Sequence, residues 1–104
     1  MNRKDIIDKI RNAIREIEPE AEIFLYGSRA RGDAQRTSDW DLLILLNGLV
    51  DYERIYNIRS HLIEVELEVN EILSSIIMNK DEWDLYPFRA TPFHENVTEE
   101  GIRI

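Results

Sequence analysis

The pattern of apolar and polar positions predicts that the chain begins with a helix. Isoleucine and alanine recur at spacings of three and four between residues 2 and 17, and this spacing indicates an amphipathic helix with one buried stripe. Asn2 is suited to cap the helix. Pro19 ends it, because the residue before a proline is disfavoured in the helical conformation.

Two short apolar runs follow, at residues 23–26 and 40–46, and a polar loop separates them. Continuous apolar runs bounded by turn signals are typical of buried strands. The second run is apolar throughout residues 42–46, which predicts a central strand covered on both faces. Asn47 and Gly48 then provide a turn signal that ends this strand.

The second half of the chain predicts a long helix followed by shorter elements. The helix runs from a cap at Asp51 to about residue 69, and its apolar face comprises Ile55, Ile58, Leu62, Val65 and Val69. We predict a third strand at residues 72–78 and a short helical turn at residues 81–83. A final helix is predicted at residues 96–101, after two prolines that interrupt the chain.

The polar loop between the first two strands carries the candidate chemistry. Gly27 and Ser28 begin it, and a residue without a Cβ allows both a sharp turn and the close approach of a phosphate. Asp39 and Asp41 end it, and residues two apart in a strand project from the same face. Such a carboxylate pair suits Mg²⁺, which prefers oxygen ligands and usually takes one or two carboxylates plus substrate phosphates.

Two arginines follow the glycine and serine directly. Guanidinium groups have forked donors suited to phosphate, and a short helix beginning near Arg29 would direct N–H groups toward an anion. We expect Arg29 to face phosphates or solvent. Arg31 has two interpretations, a phosphate ligand or a salt bridge to Asp33 or to one of the aspartate pair. Phosphate-binding and metal-binding groups on one loop indicate nucleotidyl transfer.

The remaining candidate residues favour structural roles. His61 and His94 have no partner at metal-ligand spacing, so we interpret both as surface or packing residues. Trp40 lies between the aspartates and alternates to the opposite face of the strand, which predicts a core position. For Trp83 and Phe93, core packing and a partner surface both stay open.

Composition and net charge limit the kinds of partner and cellular location that we expect for the chain. The 104 residues carry a net charge of −8, which argues against general nucleic-acid binding because phosphate neutralisation needs a basic surface. A single nucleotide can still bind through local arginines and a metal. The chain has no cysteine, no signal-peptide pattern and no apolar run of about 20 residues. We therefore expect one cytoplasmic domain over residues 1–104, with no membrane or nucleic-acid partner.

Gly27-Ser28, a ten-residue spacer and Asp39-x-Asp41 resemble the GS-x10-D-x-D signature of the polymerase-beta-like nucleotidyltransferase superfamily. Residues 25–32 together with residues 38–42 are similar to its minimal nucleotidyltransferase (MNT) subgroup. Members of that subgroup are small prokaryotic proteins, many of them antitoxins of HEPN-domain toxins. The resemblance implies an α/β nucleotidyltransferase fold, with a small mixed sheet of three or more strands and helices packed mainly on one face.

The resemblance also implies Mg²⁺-dependent transfer of AMP from ATP to a hydroxyl of a partner protein such as a HEPN toxin. Asp39 and Asp41 are then the catalytic and metal-binding residues. The nucleotide phosphates are bound by a set of polar residues at the start of the loop: Gly27, Ser28, Arg29 and Arg31.

The resemblance is incomplete at one position. Active members usually carry a third carboxylate on a later strand, where this chain has Ser74 and Ser75, with Glu68 and Glu71 shortly before them. The alternative is therefore a catalytically degenerate antitoxin that neutralises its partner by binding alone. Modification of a small molecule is a third possibility and would normally require an additional domain. The sequence leaves self-association open.

Overall fold

The computed structural model describes residues 1–104 as a four-stranded sheet with helices on both of its faces. The helices are α1 (Arg3–Ile17), α2 (Ser28–Arg31), α3 (Tyr52–Val69), α4 (Lys80–Trp83), a 3₁₀ helix (Phe88–Ala90) and α5 (Pro92–Glu100). The strands are β1 (Glu22–Tyr26), β2 (Trp40–Leu46), β3 (Leu73–Asn79) and β4 (Ile102–Arg103). None of the helices has both the length and the apolar character needed to cross a membrane.

Both long helices begin at the caps expected from the sequence. The Asn2 side chain accepts a hydrogen bond from the backbone N–H of Asp5, and the Asp51 side chain accepts one from that of Arg54. Each bond satisfies one of the N–H groups that have no partner within the first helical turn. The predicted starts of α1 and α3 are therefore confirmed.

The sheet is mixed, with strand order β3-β2-β1-β4. β2 pairs with β1 antiparallel and with β3 parallel, and β4 pairs antiparallel with the outer side of β1. In this register Asp41 lies between Tyr26 of β1 and Ser74 of β3. The end of β1, the start of β2 and the start of β3 thus meet at one end of the sheet, where the motif loop lies.

One face of the sheet carries most of the core. Helices α1 and α3 pack there and enclose fourteen buried residues, including the fully buried Ile10, Leu42, Ile44 and Ile58. Burying one such aliphatic side chain contributes about 1.5–3 kcal/mol. Trp40 belongs to this cluster and is 2% exposed, so its predicted core position is confirmed.

The opposite face is covered only in part. A cluster of four buried residues lies there, formed by two side chains of β2 and one each of α4 and α5: Leu43, Leu45, Trp83 and Val97. Trp83 and Phe93 pack edge to face, and His94 stacks on Trp83 with ring centroids 4.4 Å apart. These residues therefore pack against the core. The α/β class is confirmed, with both long helices on one face and with α4 and α5 on the other.

The C-terminal third of the chain differs most from the sequence prediction. The final helix begins at Pro92 rather than residue 96, because Thr91 caps it and a proline fits the first helical position. β3 is shifted by one residue at each end relative to the predicted 72–78. Strand β4 was not predicted, since two residues have no measurable periodicity and their pairing partner, β1, lies about 80 residues earlier.

Candidate functional site

Gly27 and Asp41 lie in contact where β1 ends and β2 begins. Gly27 has a φ of 74°, in the left-handed region that glycine adopts without strain. A Cβ placed on Gly27 would clash with Oδ2 of Asp41. Two structural requirements therefore favour glycine at this position: the positive φ of the turn into α2 and the close approach of the Asp41 carboxylate to the backbone.

Asp39 and Asp41 form a pair of neighbouring carboxylates at the start of β2. Burial raises the pKa of Asp41, the negative charge of Asp39 raises it further, and the positive charge of Arg31 opposes both effects. Burial and the charge of Asp41 also raise the pKa of Tyr26, the partner of Asp41 on β1. At Asp41, burial and the charge of Asp39 together therefore outweigh the opposing charge of Arg31.

The residues of the pair suit a hard cation. Asp39 and Asp41 supply carboxylate oxygens, and two like charges repel unless a cation or arginine lies between them. No third histidine, cysteine or carboxylate joins them in a metal-binding cluster. Mg²⁺ commonly binds through one or two carboxylates plus substrate phosphates, so the donor set is compatible with that ion.

Ser74, one of the two serines at the expected position of a third carboxylate, lies next to this pair. Its Oγ donates a hydrogen bond to Oδ2 of Asp39 at 3.0 Å. Of the two carboxylates that precede it, Glu71 forms a salt bridge with Arg29 and Glu68 forms one with Lys9. Neither glutamate takes the place of the missing acid.

Arg29 connects α2 to the far end of the motif loop. Its guanidinium donates hydrogen bonds to the backbone carbonyls of Ser38 and Arg36, at 3.0 and 3.3 Å. It lies over the Trp40 ring, 4.8 Å from the centroid, and 3.7 Å from a carboxylate oxygen of Glu71. These contacts hold the loop against β2, and the role of Arg29 as a phosphate ligand stays a prediction.

Arg31 forms salt bridges on the outer side of α2. Its guanidinium nitrogens lie 3.3 Å from Asp33 and 3.3 Å from Glu100, and hydrogen bonds to both carboxylates raise the pKa of Arg31. The pairing with Asp33 was one of the two sequence interpretations and is confirmed. The pairing with Glu100 was missed, because nothing in the sequence signals a contact across 69 residues. Phosphate binding by Arg31 stays a prediction.

Comparison with known proteins places this site in a family. The family described as "Nucleotidyltransferase domain" matches residues 7–104. A protein of Methanocaldococcus jannaschii named "putative protein adenylyltransferase" is 35% identical over 82 residues, which cover 76% of this chain and 72% of that protein.

Solved structures show the same fold at low sequence identity. A crystal structure of a toxin–antitoxin with AMP-PNP aligns with a TM-score of 0.62 at 18% identity, covering 92% of this chain and 69% of the other. A mutant of the toxin–antitoxin MntA-HpeT aligns with a TM-score of 0.56 at 16% identity, covering 99% and 72%. Together with the family match over residues 7–104, these findings establish that the chain belongs to the nucleotidyltransferase domain family.

Proposed function

We propose that this chain is an MNT-type antitoxin that transfers AMP from ATP, with Mg²⁺, to a hydroxyl of a HEPN toxin. The observation that carries the proposal is the position of Asp41 against Gly27 on the less covered face of the sheet, with Asp39 beside it. The adenylyltransferase name of the M. jannaschii relative supports adenylyl transfer. The toxin–antitoxin neighbours, one of them with AMP-PNP, support a toxin as partner and an adenine nucleotide as substrate.

The transfer itself requires little covalent chemistry from the protein. The acceptor oxygen forms a bond to the α-phosphorus, the bond to the β-phosphate oxygen breaks, and pyrophosphate leaves with the electron pair. The hydroxyl proton passes to water or to a carboxylate of the site. Alignment and electrostatic stabilisation therefore supply most of the rate enhancement.

Each residue of the site has a defined role in this proposal. Asp39 and Asp41 hold Mg²⁺, which when bound neutralises charge on the reacting phosphates. The start of α2 binds the triphosphate through Gly27 and Ser28, while Arg29 or Arg31 offsets charge on the leaving pyrophosphate. In this proposal a toxin supplies the acceptor hydroxyl, as the toxin–antitoxin neighbours suggest.

Binding without catalysis is the second candidate function. Ser74 is the observation in its favour, because it lies beside Asp39 where active members of the superfamily carry a carboxylate. A hydroxyl neither neutralises a metal nor accepts a proton as a carboxylate does. In this case the chain neutralises its toxin by binding to it without modifying it.

The intact mass of the partner separates the two functions. A HEPN-domain toxin is co-expressed with the wild type or with Asp41→Asn, and the intact mass of the toxin is measured. We expect additions of the mass of AMP with the wild type and none with the variant. A stable complex with an unmodified partner in both cases would support neutralisation by binding alone.

A further inference from the structure

We propose that Ser74 is a positioning residue that orients the Asp39 carboxylate for cation binding. Ser74 Oγ donates to Asp39 Oδ2 at 3.0 Å in a partly buried setting. The Asp39 side chain forms no salt bridge, so this hydrogen bond fixes the carboxylate. The inference deepens the proposed function and rests on it, because it concerns the same two carboxylates.

The position of Ser74 in the sheet makes it a rigid support. β3 pairs with β2 over an uninterrupted register from Leu73 opposite Trp40 to Asn79 opposite Leu46. Ser74 is opposite Asp41 in this register, so both side chains project from the same face. Asp39 precedes β2 and lies at the end of the exposed motif loop. The hydrogen bond therefore ties a loop carboxylate to the most extensively paired part of the sheet.

A serine at this position also has an electrostatic advantage over a third acid. Its hydroxyl donates to one oxygen of Asp39, while the second oxygen stays available to a cation. Asp39 and Asp41 already bring two negative charges close together, so a third acid would increase the repulsion at the site. Groups that orient metal ligands in this way typically change metal affinity by about 10–100-fold when removed.

Metal affinity, measured without any turnover, tests the role of Ser74. Mn²⁺ is titrated by calorimetry into the full chain with a non-hydrolysable ATP analogue, for the wild type, Ser74→Ala and Ser74→Thr. We expect Ser74→Ala to weaken Mn²⁺ binding by about 10-fold or more. Ser74→Thr should bind within about threefold of the wild type, because it retains the hydroxyl and threonine is favourable in strands.

Ser75→Ala is the matched control. Ser75 is the next residue of β3, opposite Leu42, and its side chain alternates to the other face of the sheet. Its loss should leave Mn²⁺ affinity unchanged. Melting temperatures without metal are measured for every variant, so that a loss of affinity is interpreted only for folded protein.

The outcomes separate this inference from the proposed function. If Asp39→Asn abolishes Mn²⁺ binding and Ser74→Ala binds like the wild type, the Ser74 role is wrong and the metal site stands. If Ser74→Thr loses as much affinity as Ser74→Ala, a hydroxyl donor is not what the position supplies, and the role is also overturned. If Asp39→Asn binds Mn²⁺ as the wild type does, the proposed metal site itself is wrong.

Discussion

The two faces of the sheet differ in how completely helices cover them. Helices α1 and α3 enclose fourteen buried residues on one face, whereas α4 and α5 enclose four on the other. The incompletely covered face carries Asp41, Ser74 and Ile76, and Ile76 is 40% exposed. Burying an unpaired carboxylate is unfavourable. Most of the buried apolar side chains therefore lie on one face of the sheet. The Asp41 carboxylate lies on the other face, where solvent, a cation or a partner can reach it.

Matched isoleucine substitutions should show the largest difference between the faces. Ile44→Ala removes a fully buried side chain beneath α1 and α3 and should lower the free energy of unfolding by about 3–4 kcal/mol. Ile76→Ala on the open face should lower it by about 1 kcal/mol or less, because the side chain is partly solvated already. Urea denaturation midpoints measure both. Equal losses would contradict the unequal division of stability.

Alanine substitutions at two glycines test whether the close approach of the Asp41 carboxylate to Gly27 affects stability. Gly27 and Gly32 both have positive φ, at 74° and 85°, so alanine at either position introduces backbone strain of about 1–3 kcal/mol. Only at Gly27 would the new Cβ also clash with the Asp41 carboxylate. We therefore expect Gly27→Ala to be the more destabilising variant in denaturant titrations.

We also expect the two glycine variants to differ in how much a bound ligand raises their melting temperatures. Under the proposed function, Mg²⁺ with ATP should raise the melting temperatures of the wild type and of Gly32→Ala to the same extent, and should not raise that of Gly27→Ala. The reason is that a Cβ at position 27 would displace the Asp41 carboxylate, which is one of the two proposed metal ligands. An equal ligand response in both variants would show that the approach of Asp41 to Gly27 is not required for binding.

The smallest effect concerns the charge of Asp41 in metal-free protein. The pKa of Asp41 is raised above its ordinary value of 3.8, so the ionised group destabilises the folded state. This destabilisation is absent below pH 3.8 and complete above the raised pKa. Asp41→Asn should therefore have a melting temperature equal to or higher than that of the wild type at pH 7.

The pH dependence provides the control for this prediction. With EDTA present, the difference in melting temperature between Asp41→Asn and the wild type should shrink as the pH falls toward 3.8. Added Mg²⁺ should reverse its sign at pH 7, because a cation stabilises the ionised carboxylate. A difference that does not change with pH would mean that Asp41 is not destabilised by its charge.

Most of the site was predictable because it is local. Gly27, Ser28, Asp39 and Asp41 lie within fifteen residues, and the alternation of a strand is enough to place both carboxylates on one face. The caps Asn2 and Asp51 act over three residues and were also predicted. Errors are concentrated near Pro92, where a helix-starting Thr-Pro pair was interpreted as a break.

The sequence by itself determined the strand–loop–strand motif, the two long helices and the positions of the paired carboxylates. The tertiary structure alone decided which neighbours these groups acquire: Ser74 for Asp39, Glu71 for Arg29 and Glu100 for Arg31. The physical reason is the separation along the sequence between the residues that make contact. Helix caps and strand alternation follow from nearest neighbours, whereas these contacts join residues 35 to 69 positions apart and depend on how the sheet registers and how the helices pack.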